Sequence, residues 1–347
     1  MSYASNILLV QAEKILREHL SPIYVHLEDP TIQEVMINSP SNIWIERQGK
    51  YEKLGLQLSN SALTNAITVL ANINQKDIKS PVLDCRLPGL RIAATLPPVA
   101  YAGASMSIRR HSAQIFTMQS YVDGGAFDPV IKLPRATLTD RPSDESIALG
   151  GKHLQAFLEW LASSKNNFIV SGSTSSGKTA LLNAMAAFIT PTDRVLTIED
   201  TAELKMQVAN WVAFESNPAY GVTTRMLVKH ALRYRPNRIW VGEIRGEEAY
   251  DMLDAYNTGH PGSAVSFHSD SADMTLARLE NMVRMASEAS NWPLDDLRRQ
   301  IAATFRFVLH ASNLAGNRGP TEVMEILGVE NNKYVTRSLF KKQIVYY

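Results

Sequence analysis

The sequence has little cysteine, with a single residue, Cys85, in 347. One cysteine cannot form an internal disulfide, and the absence of a C-x-x-C pair gives no support to a structural zinc site or an oxidised, secreted scaffold. An excess of charge of one sign is also missing, since 35 Lys and Arg nearly balance 34 Asp and Glu. Because dedicated nucleic-acid binders carry a strong basic excess, we expect no direct sequence-specific binding of nucleic acid.

Long hydrophobic runs and a leader pattern are lacking as well. The longest uncharged stretch, 92–108, contains Pro97, Pro98 and Gly103. It is shorter than the roughly 20 residues of a membrane-spanning helix. Residues 1–10 have no lysine or arginine of the kind that begins a secretory signal. We therefore expect a cytoplasmic protein whose membrane contacts are peripheral.

The composition is that of a globular protein, with 45% hydrophobic residues in a length that suggests two domains. In the first part of the chain, apolar residues follow helical spacing in some segments and strand-like alternation in others. These patterns predict helices over 5–20 and 61–73, strands over 34–38 and 42–47, and further strands between 86 and 109. We expect a small α+β domain over 1–120.

The second part of the chain has a different organisation. Residues 121–150 are rich in Gly, Pro and Asp without sustained periodicity, which indicates an interdomain linker. Beyond it, short apolar runs alternate with helical patterns, as in an α/β domain with a largely parallel sheet covered by helices. The predicted strands are 167–171, 194–198, 238–241 and 263–268, and the predicted helices are 178–189, 223–234 and 247–256. This domain spans 151–347.

The octapeptide GSTSSGKT follows the first of these strands and opens the first of these helices. It matches the pattern G-x-x-x-x-G-K-[ST], in which backbone N–H groups surround phosphates, Lys178 reaches the β- and γ-phosphates and Thr179 ligates Mg²⁺. The predicted nucleotide-binding residues are Gly172, Ser173, Thr174, Ser175, Ser176, Gly177, Lys178, Thr179 and Ala180. The sequence thus predicts a site for ATP with Mg²⁺.

Acidic and histidine side chains follow the other predicted strands. Hydrolysis needs carboxylates that hold Mg²⁺ and orient a water molecule. Glu199 and Asp200 follow the second strand, and Glu243 follows the third. His260 and His268 bracket the fourth, and a histidine at a strand end can donate a hydrogen bond to a phosphate oxygen. Because ligands bind at the carboxyl ends of parallel strands, we expect both carboxylate sets beside the phosphate loop.

Several ordered motifs resemble those of the secretion and traffic ATPases. The segments SGSTSSGKT, RVLTIEDTAEL, LRYRPNRIWVGEIRGEEAYDML and TGHPGSAVSFHSDS resemble their Walker A, Asp box, Walker B and His box. Upstream, LEDPTIQEVMINSPSNIWIERQGK and RLPGLRIAATLPPVAYAGASMSIRRHS resemble the N-terminal domain of the type IV secretion branch, which includes the conjugative-transfer ATPases. FTMQSYVDGG resembles the segment that leads into the linker of that branch.

The resemblance implies an α/β fold with a RecA-like phosphate-loop ATPase domain at the C-terminus and a smaller α+β domain before it. It implies a homohexameric ring at the cytoplasmic face of the bacterial inner membrane, with nucleotide bound between the two domains. It also implies partners among the other inner-membrane and ATPase components of a secretion or conjugation apparatus.

Residue roles follow from the same resemblance. Glu199 of the Asp box and Glu243 of Walker B serve Mg²⁺ and the attacking water, and His268 senses the γ-phosphate. Together with Lys178 these are the predicted catalytic residues, and Thr179, Glu199 and Glu243 are the predicted metal-binding residues. We favour Glu243 as the catalytic carboxylate, with Glu199 as the alternative. The N-terminal domain supplies basic residues to the triphosphate, and the positions that fit are Arg91, Arg109 and Arg110.

The implied function is ATP hydrolysis that energises substrate transport and pilus biogenesis by a type IV secretion or conjugation system. The alternative is a motor for type II secretion or for extension and retraction of type IV pili, although the sequence lacks the tetracysteine module of type II secretion ATPases. A nucleic-acid translocase would need a basic, aromatic-lined channel, which the sequence does not indicate. A nucleotide-gated scaffold with little turnover is disfavoured by the intact pair Glu199 and Glu243.

Overall fold

The computed structural model describes residue 14 and residues 17–47, 49–74, 80–87, 89–110, 140–314 and 317–343. The chain divides into two compact units. The first comprises Met1–Ile78, Leu83–Ala94 and Met106–Asp140, and the second comprises Lys79–Val82, Thr95–Ser105 and Arg141–Tyr347. Within the described ranges, no helix is long and apolar enough to cross a membrane.

The first unit is built on a six-stranded sheet. Its elements are α1 (Ser21–Glu28), β1 (Ile32–Ser39), β2 (Asn42–Arg47), β3 (Lys50–Leu54), α2 (Asn60–Ile73), β4 (Val82–Leu87), β5 (Leu90–Thr95) and β6 (Ser105–Arg110). The strand order is β3-β2-β1-β6-β5-β4, and β1 pairs antiparallel with both β2 and β6. The predicted α+β character is confirmed, whereas the helix predicted over 5–20 lies almost wholly outside the described residues.

Local sequence explains the best predicted elements of this unit. Ser39 and Asn42 face each other where β1 turns into β2, at the predicted turn. The hydroxyl of Ser59 accepts a hydrogen bond from the N–H of Ala62 at 3.0 Å and so caps the start of α2. Apolar residues at helical spacing, including Leu63 and Leu70, are buried on one face of α2.

The second unit contains an eight-stranded sheet. Its strands are β7 (Phe168–Gly172), β8 (Val195–Glu199), β9 (Trp211–Glu215), β10 (Arg238–Val241), β11 (Ala264–Phe267), β12 (Phe307–Leu314), β13 (Asn317–Glu330) and β14 (Lys333–Lys341). Its helices are α3 (Asp144–Ala148), α4 (Gly151–Ser163), α5 (Lys178–Ala186), α6 (Thr224–Ala231), α7 (Glu248–Asn257), α8 (Ala272–Val283) and α9 (Leu294–Thr304).

The sheet order is β14-β13-β12-β7-β11-β10-β8-β9. The six strands from β12 to β9 are parallel, and β13 and β14 extend the β12 edge in antiparallel fashion. Every residue of β7, β8, β10 and β11 is buried. Strands covered on both faces are largely apolar, which is why these four could be predicted from short apolar runs. The predicted RecA-like α/β fold is confirmed.

The last part of the predicted linker is folded. Residues 121–139 lie outside the described residues, but α3 forms within 140–150, with the Ser143 hydroxyl accepting from the N–H of Ser146. Ile147 of α3 is fully buried in the core of the second unit. A helix of five residues is too short to show a periodic pattern, so it could not be predicted from the sequence. The domain limits at 120 and 150 stay predictions.

Candidate nucleotide-binding site

The phosphate loop joins β7 to α5 and needs glycine at both ends. Gly172 has φ +152°, and a Cβ there would lie 2.1 Å from the carbonyl oxygen of Ala311 and 2.6 Å from the hydroxyl of Ser176. Gly177 has φ +93° and immediately precedes α5. Only glycine tolerates such a close approach, and it adopts positive φ readily. The two glycines of the motif are therefore required by local geometry.

Lys178 is held inside this loop. Its Nζ donates hydrogen bonds to the carbonyl oxygens of Gly172, at 3.0 Å, and Ser173, at 3.1 Å. Only 8% of Lys178 is exposed, and burial lowers the pKa of its ammonium, while the negative charge of Glu243 opposes that shift. Ser173, Thr174 and Ser175 are exposed in the loop, and Thr179 and Ala180 lie in the first turn of α5, whose N-terminus favours an anion.

His268 and Glu243 lie beside this lysine, as expected from the ends of β11 and β10. The Nζ of Lys178 is 3.3 Å from Nδ1 of His268, and Nε2 of His268 is 3.4 Å from Oε1 of Glu243. Nδ1 of His268 is also 3.2 Å from the carbonyl oxygen of Gly172, so this ring nitrogen lies within hydrogen-bond distance of one group that only donates and of one that only accepts. Three of the four predicted catalytic residues thus form one row.

Glu199, the fourth, is buried at the end of β8, with 2% of the residue exposed. Its Oε1 accepts hydrogen bonds from the N–H groups of Glu203, at 3.0 Å, and Leu204, at 2.9 Å. Burial raises the pKa of this carboxyl, although the two N–H groups act in the opposite direction. Its Oε2 is buried and has no hydrogen-bond partner in the part of the chain that the structure describes.

Gly242, which follows β10, lies directly against the side chain of Glu199. A Cβ at this position would lie 2.7 Å from Cγ and 3.1 Å from Oε1 of Glu199. The Glu199 side chain therefore occupies the space that a side chain at 242 would need. The hydroxyl of Ser266 donates to the carbonyl oxygen of Gly242, which fixes the same segment from β11.

Sequence reasoning missed Arg245. Its Nε is 2.7 Å from Oε1 of Glu243, and its Nη2 is 3.0 Å from Oδ2 of Asp200. The only sequence signal was its place two residues after Glu243.

His260 lies before β11, at the end of the strands opposite the phosphate loop. There its Nδ1–H donates to the carbonyl oxygen of Pro236 at 2.9 Å, so the suggestion that it contacts a phosphate is not supported.

A cavity of about 550 Å³ opens beside the phosphate loop. Its lining includes Ser173, Thr174, His268, Asp270 and Arg278.

The three arginines predicted to bind the triphosphate belong to the first unit. Arg91 is on β5, with its Nε 4.0 Å from a carboxylate oxygen of Asp84, and Arg109 and Arg110 end β6. Their contact with a triphosphate stays a prediction.

Comparison with known proteins places these features in a family. The family model described as Type II/IV secretion system protein matches residues 17–319. The chain is 31% identical over 319 residues to the conjugal transfer protein TrbB of Rhizobium radiobacter, covering 90% of this chain and 89% of that protein. It is 31% identical over 307 residues to the type IV secretion system protein VirB11 of Brucella suis biovar 1, covering 85% of each.

A solved structure agrees with this assignment. The crystal structure of the VirB11 ATPase from the Brucella suis type IV secretion system, in complex with sulphate, superposes with a TM-score of 0.80 at 31% identity. The match covers 91% of this chain and 95% of that one. The chain therefore belongs to the family of type II/IV secretion system proteins, in its type IV secretion and conjugal-transfer branch.

Proposed function

We propose that this chain hydrolyses ATP as a homohexameric ring and thereby energises substrate transport and pilus biogenesis by a type IV secretion or conjugation apparatus. The observation that carries the proposal is the row formed by Lys178, His268 and Glu243 at the phosphate loop. Phosphoryl transfer to water needs a cation that holds the phosphates and a group that orients the attacking water, and here a lysine and a carboxylate lie in contact with the same imidazole. The names of the relatives, VirB11 and TrbB, supply the cellular context.

Lys178 binds the triphosphate in this proposal. Its Nζ donates to two loop carbonyl oxygens, those of Gly172 and Ser173. With ATP bound, Nζ exchanges these neutral acceptors for β- and γ-phosphate oxygens, which form stronger charge-assisted hydrogen bonds. The N-terminus of α5 and the N–H groups of 173–180 complete the phosphate-binding site.

Glu243 orients the attacking water and accepts its proton. Its Oε1 already faces Arg245 and His268, and no described residue hydrogen-bonds its Oε2. Glu243 is partly exposed, with 21% of its side chain accessible, whereas Glu199 is 2% exposed. This difference in access supports Glu243 over Glu199 as the residue that contacts water. His268 adjoins both Lys178 and Glu243, so its ring is placed to sense the γ-phosphate that Lys178 binds.

The donor set fits Mg²⁺. No group of three His, Cys, Asp or Glu suited to a metal ion occurs among the described residues. Mg²⁺ bound with nucleotides commonly takes one or two protein oxygens together with phosphates and water, so a dedicated cage is not needed. Thr179 would supply a hydroxyl, and Glu199 and Glu243 would act through their carboxylates, with the buried, unpaired Oε2 of Glu199 offering a free acceptor. When bound there, the ion would neutralise charge on the phosphates.

The remaining parts of the proposal concern assembly. The first unit supplies Arg91, Arg109 and Arg110 to the triphosphate, where positive charge offsets the charge of the transition state. The ring acts at the cytoplasmic face of the inner membrane, as a peripheral component beside the other inner-membrane and ATPase components of the apparatus.

The test is ATP turnover and ATP binding by the purified protein and its Glu243→Gln variant. We expect the variant to bind ATP within about threefold of wild type but to lose at least about 100-fold in turnover, the scale of general-base catalysis. Glu247→Gln is the matched control, because Glu247 lies on the same segment, with 54% of its side chain exposed and 3.0 Å from Arg225. It should turn over normally.

Two results would contradict the proposal. Normal turnover by Glu243→Gln would move the catalytic role to Glu199, and an inactive wild-type ring would favour a nucleotide-gated scaffold. Mass measurement in solution with ATP and Mg²⁺ tests the assembly. A hexamer is expected, and a species no larger than a dimer at every concentration would rule out the ring.

A further inference from the structure

Arg245 connects the two acidic segments of the site. Its guanidinium donates through Nε to Glu243, at 2.7 Å, and lies 3.0 Å through Nη2 from Asp200. Asp200 follows β8 and Glu243 follows β10, and these strands are neighbours in the sheet. One side chain therefore spans the residues that follow two adjacent strands.

The main chain of Arg245 is itself anchored. The carboxylate of Glu248, at the start of α7, accepts hydrogen bonds from the N–H groups of Arg245 and Gly246. Local hydrogen bonds from a side chain to the main chain fix the backbone before the helix. The side chain of Arg245 thus extends from a fixed point even though 67% of it is exposed.

Stability alone does not account for this arrangement. Exposed ion pairs contribute little to stability, because water screens the charges and both side chains lose freedom. A planar guanidinium does, however, impose direction on the carboxylate that it contacts. Arg245 and His268 both address Oε1 of Glu243, which leaves Oε2 without a described partner. The orientation of Glu243 is therefore the property that Arg245 controls.

We propose that Arg245 is a positioning residue that turns Glu243 so that Oε2 faces the attacking water, and that Asp200 holds Arg245 in that orientation. This inference rests on the proposed role of Glu243 in hydrolysis. Arg245 has no hydrogen bond or ion pair with residues 172–180 in the described structure, so it acts through the carboxylate and not through the nucleotide.

Loss of the Arg245 side chain should therefore lower turnover without weakening ATP binding. Removing the guanidinium frees Glu243 to rotate, which lowers the fraction of enzyme with a correctly oriented carboxylate. Misplacement of a catalytic group affects kcat, whereas KM changes only if ground-state binding changes. ATP binding depends on Lys178 and the loop, which Arg245 does not contact.

The experiment measures kcat, KM and ATP affinity for Arg245→Gln, Arg245→Lys and Asp200→Asn in the full-length protein. We expect Arg245→Gln to lower kcat about tenfold, with KM and ATP affinity within about twofold of wild type. Arg245→Lys should recover part of the loss, since it keeps the charge without the two-point geometry. Asp200→Asn should lower kcat by about threefold and have no further effect in the Arg245→Gln background.

The control is Arg299→Gln, which removes another exposed arginine that contacts a carboxylate, Asp295, at 2.8 Å on α9. It should leave kcat unchanged. Unfolding midpoints are recorded for every variant, and Asp200→Asn provides an independent variant should Arg245→Gln prove unstable. Three results would overturn the inference. The first is a folded Arg245→Gln variant with full kcat, and the second is a loss of ATP affinity as large as the loss of kcat. The third is a further fall in kcat when Asp200→Asn is added to Arg245→Gln.

Glu243→Gln is measured in the same series. If Glu243→Gln is inactive and Arg245→Gln retains full kcat, the role of Arg245 is wrong and the proposed function stands. If Glu243→Gln retains full turnover, the proposed role of Glu243 fails and the positioning role fails with it.

Discussion

Gly242→Ala tests the packing of the Asp box against Walker B. The new Cβ would lie 2.7 Å from Cγ, 3.1 Å from Oε1 and 3.3 Å from Cδ of Glu199. Optimal carbon contacts lie near 3.5 to 4.0 Å, so one of the two residues must move. Glu199 is held by hydrogen bonds from Glu203 and Leu204, and Gly242 by its own N–H, which donates to the carbonyl oxygen of Ile198 at 2.8 Å.

The magnitude follows from these contacts. Overpacking of a close-packed site costs about 1 to 3 kcal/mol. Displacement of Glu199 would also weaken hydrogen bonds to a charged group, which contribute about 1.5 to 3 kcal/mol each. The displacement can be divided between the Glu199 side chain and the backbone at residue 242, so the two costs do not add in full. We therefore expect Gly242→Ala to lower the free energy of unfolding by about 2 to 3 kcal/mol. ATP turnover should fall about tenfold or more, because the carboxylate of Glu199 leaves its place.

Urea unfolding measures the effect, and Gly246→Ala is the matched control. A Cβ at Gly246 meets its nearest atom, Oε2 of Glu248, at 3.4 Å, an ordinary contact. The free energy of unfolding of Gly246→Ala should stay within about 1 kcal/mol of the wild-type value, as for other glycine-to-alanine changes without strain. In a Glu199→Ala background, Gly242→Ala should have little effect, because the colliding atoms are gone. Equal stability of Gly242→Ala and Gly246→Ala would refute the reasoning.

Three further predictions concern individual buried charges. Lys178→Ala should weaken ATP binding at least about tenfold in a fluorescent-nucleotide titration, since charge-assisted hydrogen bonds to phosphate are lost; unchanged affinity would contradict the assigned role. Burial holds the folded-state pKa of Glu199 above the unfolded value, so its ionised form lowers stability above the folded-state pKa. This loss disappears as the pH falls below the unfolded pKa of about 4.3. Glu199→Gln should therefore unfold at higher urea than wild type at pH 8, with the advantage shrinking towards pH 4, and a pH-independent difference would exclude this explanation. Arg238 is fully buried and donates to Asp193 and to four carbonyl oxygens, so Arg238→Ala should lower the free energy of unfolding by about 3 to 5 kcal/mol in the same assay; a change below about 1 kcal/mol would show that water replaces the guanidinium.

Much of the candidate site could be predicted from the sequence, because its parts are local. The phosphate loop needs a strand, glycines and a helix in immediate succession. Glu199, Glu243 and His268 each follow a buried strand, and a parallel sheet brings such strand ends to one edge. The sequence therefore predicts the neighbours of the loop without any knowledge of strand order.

Contacts that depend on strand order could not be predicted. The proximity of Glu199 to Gly242 and the bridge from Arg245 to Asp200 exist because β8 and β10 are adjacent. Nothing in the segments themselves specifies that adjacency. The antiparallel strands β13 and β14 were also missed. β14 lies at the edge of the sheet, and only one of its residues is buried. β13 mixes buried apolar residues with the buried polar residues Thr321 and Glu325, so it shows no continuous apolar run.

The most direct test of the central claim is the frequency of plasmid transfer from donor cells whose only copy of this chain carries Glu243→Gln, compared with Glu247→Gln at equal protein abundance. The account predicts a fall of at least about 100-fold for Glu243→Gln, in proportion to the lost hydrolysis, and normal transfer for Glu247→Gln. Unchanged transfer with Glu243→Gln would contradict the claim that ATP hydrolysis by this chain energises conjugation.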